Sequence, residues 1–103
     1  MTVLSNIMAC LAFATCILSK SLGLKISANM AFTGEVNGHG YVSSVGHIRE
    51  KLRAAKDRKK KIVFVPIDNA GEVLEDNFGM DIRTCSHIQK LISVLVEYDN
   101  ILT

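Results

Sequence analysis

A continuous apolar run at residues 62–65, with sequence IVFV, constrains the fold of this chain more than any other feature. A strand without polar alternation is typical of a sheet that is covered on both faces. Pro66 ends the run, since a proline inside a central strand would remove a ladder hydrogen bond. Helix patterns precede and follow this strand, so we predict an α/β domain in which flanking helices cover a mixed sheet.

The remaining segments also alternate between helix and strand patterns. Gly23 predicts the end of a first helix, and Asn37-Gly38 predicts the turn of a hairpin. There is no linker, repeat or low-complexity stretch, so we expect a single domain over residues 1–103. The predicted elements are a helix over 7–18, an extended segment over 25–36, a returning strand over 41–45, a helix over 46–58, the strand over 62–65, a turn and short helix over 68–74, a strand over 80–83 and a helix over 87–97.

The apolar run at residues 7–18 allows two interpretations. It could be the core of a signal peptide, but no basic residue precedes it. It is also too short to span a bilayer, which takes about 20 residues. Its many small side chains suit a helix packed on both sides, so we predict a buried core helix and a protein that is not secreted.

The cysteines and histidines argue against disulfides and metals. Three cysteines form an odd set without a C-x-x-C pair, which predicts buried thiols in a reducing compartment. We therefore expect the cytoplasm or the interior of an organelle. The three histidines form no recognised ligand pattern with these cysteines, so we expect no metal site.

The net charge and the spacing of the glycines indicate which partners and cofactors this chain lacks. A net charge of +2 is too small to indicate binding to nucleic acid or to an anionic membrane, and we expect neither partner. Gly38-His39-Gly40 lacks the third glycine of a dinucleotide-binding loop, and no P-loop sequence occurs. We therefore expect no cofactor in this chain.

Lys51 occupies an unusual position in the predicted helix over 46–58. Ile48, Leu52 and Ala55 recur at helical spacing on one apolar stripe, and Lys51 falls on that stripe. Its stem could cover apolar surface while the ammonium group reaches water. Alternatively, partial burial could lower its pKa and leave a neutral amine that acts as a base. Spacing alone leaves both interpretations open.

Several motifs in the same order resemble one protein family. They are AFTGEV at 31–36, GYVSSVGHIREKLRAA at 40–55, KIVFVP at 61–66 and Asn69. The chain resembles the proteolytic domain of Lon, the ATP-dependent serine protease, whose members read A-M-T-G-E-V, then G-x-V-L-P-[IV]-G-G-[LI]-K-E-K-x-x-A-A, then a strand ending in proline. The resemblance needs no gap between residues 8 and 69, and it implies the fold of that domain.

The resemblance also implies roles for two residues. In the family, a serine attacks the peptide carbonyl and a lysine accepts its proton, because a serine hydroxyl is a weak nucleophile without a neighbouring base. The second lysine of the K-E-K pattern corresponds to Lys51, which takes the general-base position. Thr33 corresponds to a threonine that lies near this lysine and can orient it.

The nucleophile is missing from the corresponding position. The family's G-P-S-A-G segment falls on residues 6–10, which puts Met8 where the serine should be. A thioether has no proton to give up and cannot form an acyl-enzyme. Further departures are Ser43-Ser44 in place of L-P and Gly46-His47 in place of the glycine pair. The segment that leads into the nucleophile is also absent, so we expect an N-terminally truncated and catalytically inactive domain.

Two other nucleophiles remain as alternatives. Ser5 could act with Lys51 in a residual or truncated endopeptidase, but this requires a three-residue slip against a match without gaps. Cys10 could pair with His47 as a thiol nucleophile. However, two helical positions place Cys10 roughly 200° from position 8, on a different face of the predicted helix.

The resemblance further implies partners. Family members form rings in which an ATPase module feeds unfolded substrate to the proteolytic chamber, and this chain contains no such module. We therefore expect other Lon-like subunits and unfolded polypeptide as partners. A copy that drifts without a function is a third possibility, although the regular core pattern argues that the fold is specified.

Overall fold

The computed structural model describes the backbone of residues 8–73 and 76–102 and the side chains of residues 10–73 and 76–98. It confirms the α/β class and divides the strands between two sheets. The elements are β1 (Met8–Cys10), α1 (Leu11–Leu22), β2 (Met30–Phe32), β3 (Glu35–Asn37), β4 (Val42–Ser43), α2 (Ile48–Asp57), β5 (Ile62–Pro66), a 3-10 turn (Ile67–Asn69), α3 (Ala70–Val73), β6 (Asp81–Cys85) and α4 (Ile88–Leu102).

The apolar run at residues 62–65 lies in β5, the central strand of a parallel sheet with the order β2-β5-β6. Its side chains alternate between two hydrophobic clusters. Phe64 packs in the cluster that α1 and α4 cover, and Val63 and Val65 pack in the cluster that α2 and α3 cover. Burial on both faces explains why this strand carries no polar residue.

The structure also confirms the predicted hairpin, although its two strands are short. β3 pairs antiparallel with β4, and β1 pairs with the other edge of β3 to complete a second sheet. Gly40 adopts φ +90°, and a Cβ atom there would lie 2.6 Å from the His87 ring. The turn therefore needs glycine at this position, where the hairpin packs on the start of α4.

The first predicted helix is wrong in its bounds and its burial. The helix begins at Leu11 and ends before Gly23, whose φ of +69° gives the expected left-handed cap. Residues 8–10 form β1, because pairing with β3 decides between strand and helix for a short apolar run. The outer face of α1 is also exposed, with Phe13 and Ile17 among its solvent-facing residues.

The other differences between the predicted and the observed elements are smaller. The predicted extended segment over 25–36 contains only β2 and the first part of β3, and the last predicted strand starts at Asp81. The α4 helix buries Leu91 and Leu95 as predicted. Within residues 8–73 and 76–102, no helix combines the length and the apolarity that crossing a membrane requires.

Candidate active site

α2 carries Lys51 at the edge of its buried face. Ile48, Leu52 and Ala55 are buried, and they pack this helix against β5. The Lys51 side chain is exposed, and its Nζ donates a hydrogen bond to the carbonyl oxygen of Gly46 at 3.0 Å. Of the two interpretations of this lysine, its exposure agrees with the one in which the end of the side chain reaches solvent.

A buried side chain that follows β5 holds the loop before α2. Asn69 is 2% exposed, and its side-chain amide hydrogen-bonds with the N–H and the C=O of Val45, each at 3.0 Å. The amide nitrogen also donates to Glu72 Oε1 at 2.8 Å, which fixes its orientation. Because Val45 directly precedes Gly46, Asn69 positions the carbonyl group that accepts the Lys51 hydrogen bond.

Lys51 lines an open cavity of about 470 Å³ that residues of β1, β2 and α2 surround. Thr33 lines the same cavity, so the structure brings together two of the predicted site residues. The described hydrogen bond of Lys51 Nζ goes to Gly46 and not to the Thr33 hydroxyl. The orienting role of Thr33 therefore stays a prediction.

Charged side chains give this cavity an excess of positive charge. Lys51, Arg58 and Lys60 line it, and the carboxylate among its lining residues belongs to Glu35. Lys60 is anchored there, because its Nζ donates to the Ala28 carbonyl oxygen at 2.7 Å. The basic run at 58–61 thus contributes two cations, Arg58 and Lys60, to the lining of the cavity.

Cys10 also lines the cavity, which corrects the sequence-based expectation for this residue. The angular argument against it assumed a helix at residues 8–10, where the structure has a strand. Cys10 is exposed, as is Cys16, so the prediction of buried thiols is wrong for both. It lies opposite Glu35 in the β1–β3 ladder, and opposite residues of an antiparallel pair share one face of the sheet.

His47 does not accompany Cys10 at the cavity. It is exposed, and its Nδ1 atom lies 3.8 Å from Glu50 Oε2. The alternative pair of Cys10 and His47, which the sequence disfavoured, is not formed at this cavity. The third cysteine, Cys85, is buried at the end of β6, and burial raises the pKa of its thiol to about 11.

Position 8, which corresponds to the family's serine, is the first residue whose backbone the structure describes. Met8 begins β1, with its backbone paired to Asn37, while its side chain lies outside the described side chains. Ser5 lies outside the described residues altogether. The substitution of methionine for the family's serine, and the alternative role of Ser5, therefore stay predictions.

The structure is an α/β domain in which a lysine and a threonine line one cavity beside the junction of β1 and α1. The model of one family, the Lon protease (S16) C-terminal proteolytic domain, matches residues 7–97. The chain belongs to this family.

Individual relatives agree with this assignment. The Lon protease of Acinetobacter baumannii (strain AB307-0294) is 34% identical over 86 residues, which cover 80% of this chain and 11% of that protein. The Lon protease of Escherichia coli (strain K12) is 30% identical over 91 residues, covering 84% of this chain and 12% of the relative. The chain thus spans about a tenth of the length of these relatives.

Proposed function

We propose that this chain is a Lon proteolytic domain that does not cleave peptides by the family's serine mechanism and that binds unfolded polypeptide in the cavity beside Lys51. The observation that carries the proposal is the combination of a retained Lys51 and Thr33 at one cavity with methionine at position 8. A thioether cannot donate a proton to a base or form an acyl-enzyme. Lys51 is therefore left without the family's serine hydroxyl to activate.

The composition of the cavity supports binding of an extended chain. It combines apolar lining from β2 with the positive charge of Lys51, Arg58 and Lys60. An unfolded segment offers both apolar side chains and backbone carbonyl groups to such a surface. Other Lon-like subunits are the second partner that we propose, on the basis of the family alone.

The decisive experiment restores the missing hydroxyl. We expect Met8→Ser to show slow, ATP-independent cleavage of an unstructured protein and labelling by a serine-directed phosphonate at residue 8. The control is the double variant Met8→Ser/Lys51→Ala, which should show neither, because the serine then lacks its base. The unchanged chain should bind a fluorescent unstructured polypeptide, measured by anisotropy, without cleaving it.

Two results would contradict this proposal. Phosphonate labelling of the unchanged chain at Ser5 would show that a serine mechanism survives through the alternative nucleophile. Absence of polypeptide binding, with cleavage absent as well, would show that the cavity does not take an unfolded segment.

A further inference from the structure

The turn after α2 adds two cations to the cavity that already contains Lys51. Arg58 and Lys60 line the cavity, whereas Lys59 between them does not. Lys59 adopts φ +62°, the left-handed conformation that reverses a chain after a helix. This reversal explains why the two neighbours of Lys59 reach the cavity while Lys59 does not. We call Lys51, Arg58 and Lys60 the lining cations.

The end of α2 does not need these cations for capping. Lysine and arginine side chains near the end of a helix can donate hydrogen bonds to its last carbonyl groups. Here the backbone N–H groups of residues 58–60 donate to the carbonyl oxygens of Ala54, Ala55 and Lys56. The charged groups of this turn are therefore available to a ligand.

The lining cations lack carboxylate partners within the described side chains, where the ion pairs lie elsewhere. Lys51 Nζ donates to the Gly46 carbonyl oxygen at 3.0 Å, and Lys60 Nζ donates to the Ala28 carbonyl oxygen at 2.7 Å. An ammonium group has three N–H donors, so each lysine keeps donors for a further acceptor. The carboxylate among the lining residues is that of Glu35, which the lining cations outnumber.

Apolar surface accompanies these charges in the same cavity. Ala31 and Phe32 of β2, Val45 before α2 and Val63 of β5 are among its lining residues. The phosphates of a nucleic acid would match the cations but not this apolar surface. A polypeptide that carries carboxylates beside apolar side chains matches both parts.

We propose that the polypeptide bound in this cavity is acidic, namely an unfolded segment in which Asp or Glu side chains flank an apolar side chain. The carboxylates pair with the lining cations, and the guanidinium group of Arg58 can bind one of them through two parallel hydrogen bonds. The apolar side chain contacts the lining from β2 and β5. This inference rests on the proposed function, since it names the class of polypeptide that the same cavity binds.

Three fluorescent peptides of equal length test this selectivity. They share the same apolar residues and carry Glu, Gln or Lys at the positions between them. In anisotropy titrations at low ionic strength, we expect the Glu peptide to bind about tenfold more tightly than the Gln peptide, because several individually weak ion pairs add up. The Lys peptide should bind most weakly. Raising NaCl to about 1 M, where the Debye length is about 3 Å, should remove most of these differences.

Substitutions locate the selectivity in the cavity. Arg58→Gln and Lys60→Gln should each weaken binding of the Glu peptide severalfold and leave binding of the Gln peptide unchanged, which also shows that the cavity is still folded. Lys59→Gln is the matched control, because it removes the same charge from the same turn but not from the cavity lining. Glu35→Gln should tighten binding of the Glu peptide, because it removes the opposing charge.

The outcomes separate this inference from the proposed function. Equal affinities for the three peptides, or a loss in Lys59→Gln as large as that in Arg58→Gln, would overturn the inference while polypeptide binding stands. Displacement of the Glu peptide by a single-stranded oligonucleotide of equal charge, as effectively as by unlabelled Glu peptide, would also overturn it, because the cavity would then recognise negative charge alone. Absence of binding for all three peptides would instead contradict the proposed function.

Discussion

The two walls of the cavity are built in different ways. On the α2 wall, Leu52 packs into the core and Asn69 fixes the loop that anchors Lys51. On the β1 wall, a three-residue strand pairs with β3 within the described part of the chain, and its last residue, Cys10, is exposed. The α2 wall is thus held by core packing, whereas the β1 wall ends in an exposed residue.

This difference predicts how strongly substitutions on the two walls affect stability. A change on the α2 wall disturbs buried packing or a buried hydrogen-bond network, and both are costly. A substitution of the exposed Cys10 on the β1 wall should have a small effect on stability.

The largest expected effect comes from the core contact of the α2 wall. Leu52→Ala should lower the free energy of unfolding by about 3 kcal/mol, because it leaves a cavity between α2 and β5. The control is Leu22→Ala at the exposed end of α1, which should cost well below about 1 kcal/mol. Urea denaturation followed by circular dichroism measures both. Equal costs would show that core packing does not hold the α2 wall.

A smaller effect is expected at the Asn69 network. Asn69→Ala leaves the N–H and C=O of Val45 without their partner and should lower the free energy of unfolding by about 2 kcal/mol. Asn29→Ala removes the same amide from an exposed side chain and should change little. If both variants unfold at the same urea concentration as the unchanged chain, Asn69 does not hold the α2 wall together.

The smallest effect is expected for the buried thiol at alkaline pH. Burial raises the pKa of Cys85 from 9.0 to about 11, so its neutral form stabilises the fold fully below pH 9. That stabilisation is lost as the pH rises toward 11, by about 1 to 2 kcal/mol. Urea denaturation under reducing conditions at both ends of this range should show a smaller fall for Cys85→Ala than for the unchanged chain.

The exposed thiol of Cys16 is the control for this measurement. Cys16→Ala should lose as much stability between pH 9 and pH 11 as the unchanged chain, because its thiol is exposed in the folded state. A fall that is identical in all three proteins would mean that Cys85 does not contribute to the alkaline loss.

Sequence patterns predicted those parts of the fold whose signal is local. The run at 62–65 identified a strand buried on both faces, the Asn37-Gly38 turn identified the hairpin, and the spacing of Leu91 and Leu95 identified the buried face of α4. The same patterns failed at residues 8–10. A short apolar run is too short to show whether its period is that of a strand or of a helix. Pairing with β3 determines that residues 8–10 form a strand, and β3 lies more than twenty residues away in the chain.

In the candidate site, too, some features follow from the sequence and others are found only in the tertiary structure. The sequence by itself determined the family, the position of Lys51 beside an apolar stripe and the methionine at position 8, because these are properties of residue order and helical period. Only the tertiary structure decided that Lys51 reaches solvent, that Asn69 anchors its loop, and that Cys10 shares its cavity. Those facts depend on contacts between segments distant in the chain, and local periodicity carries no information about such contacts.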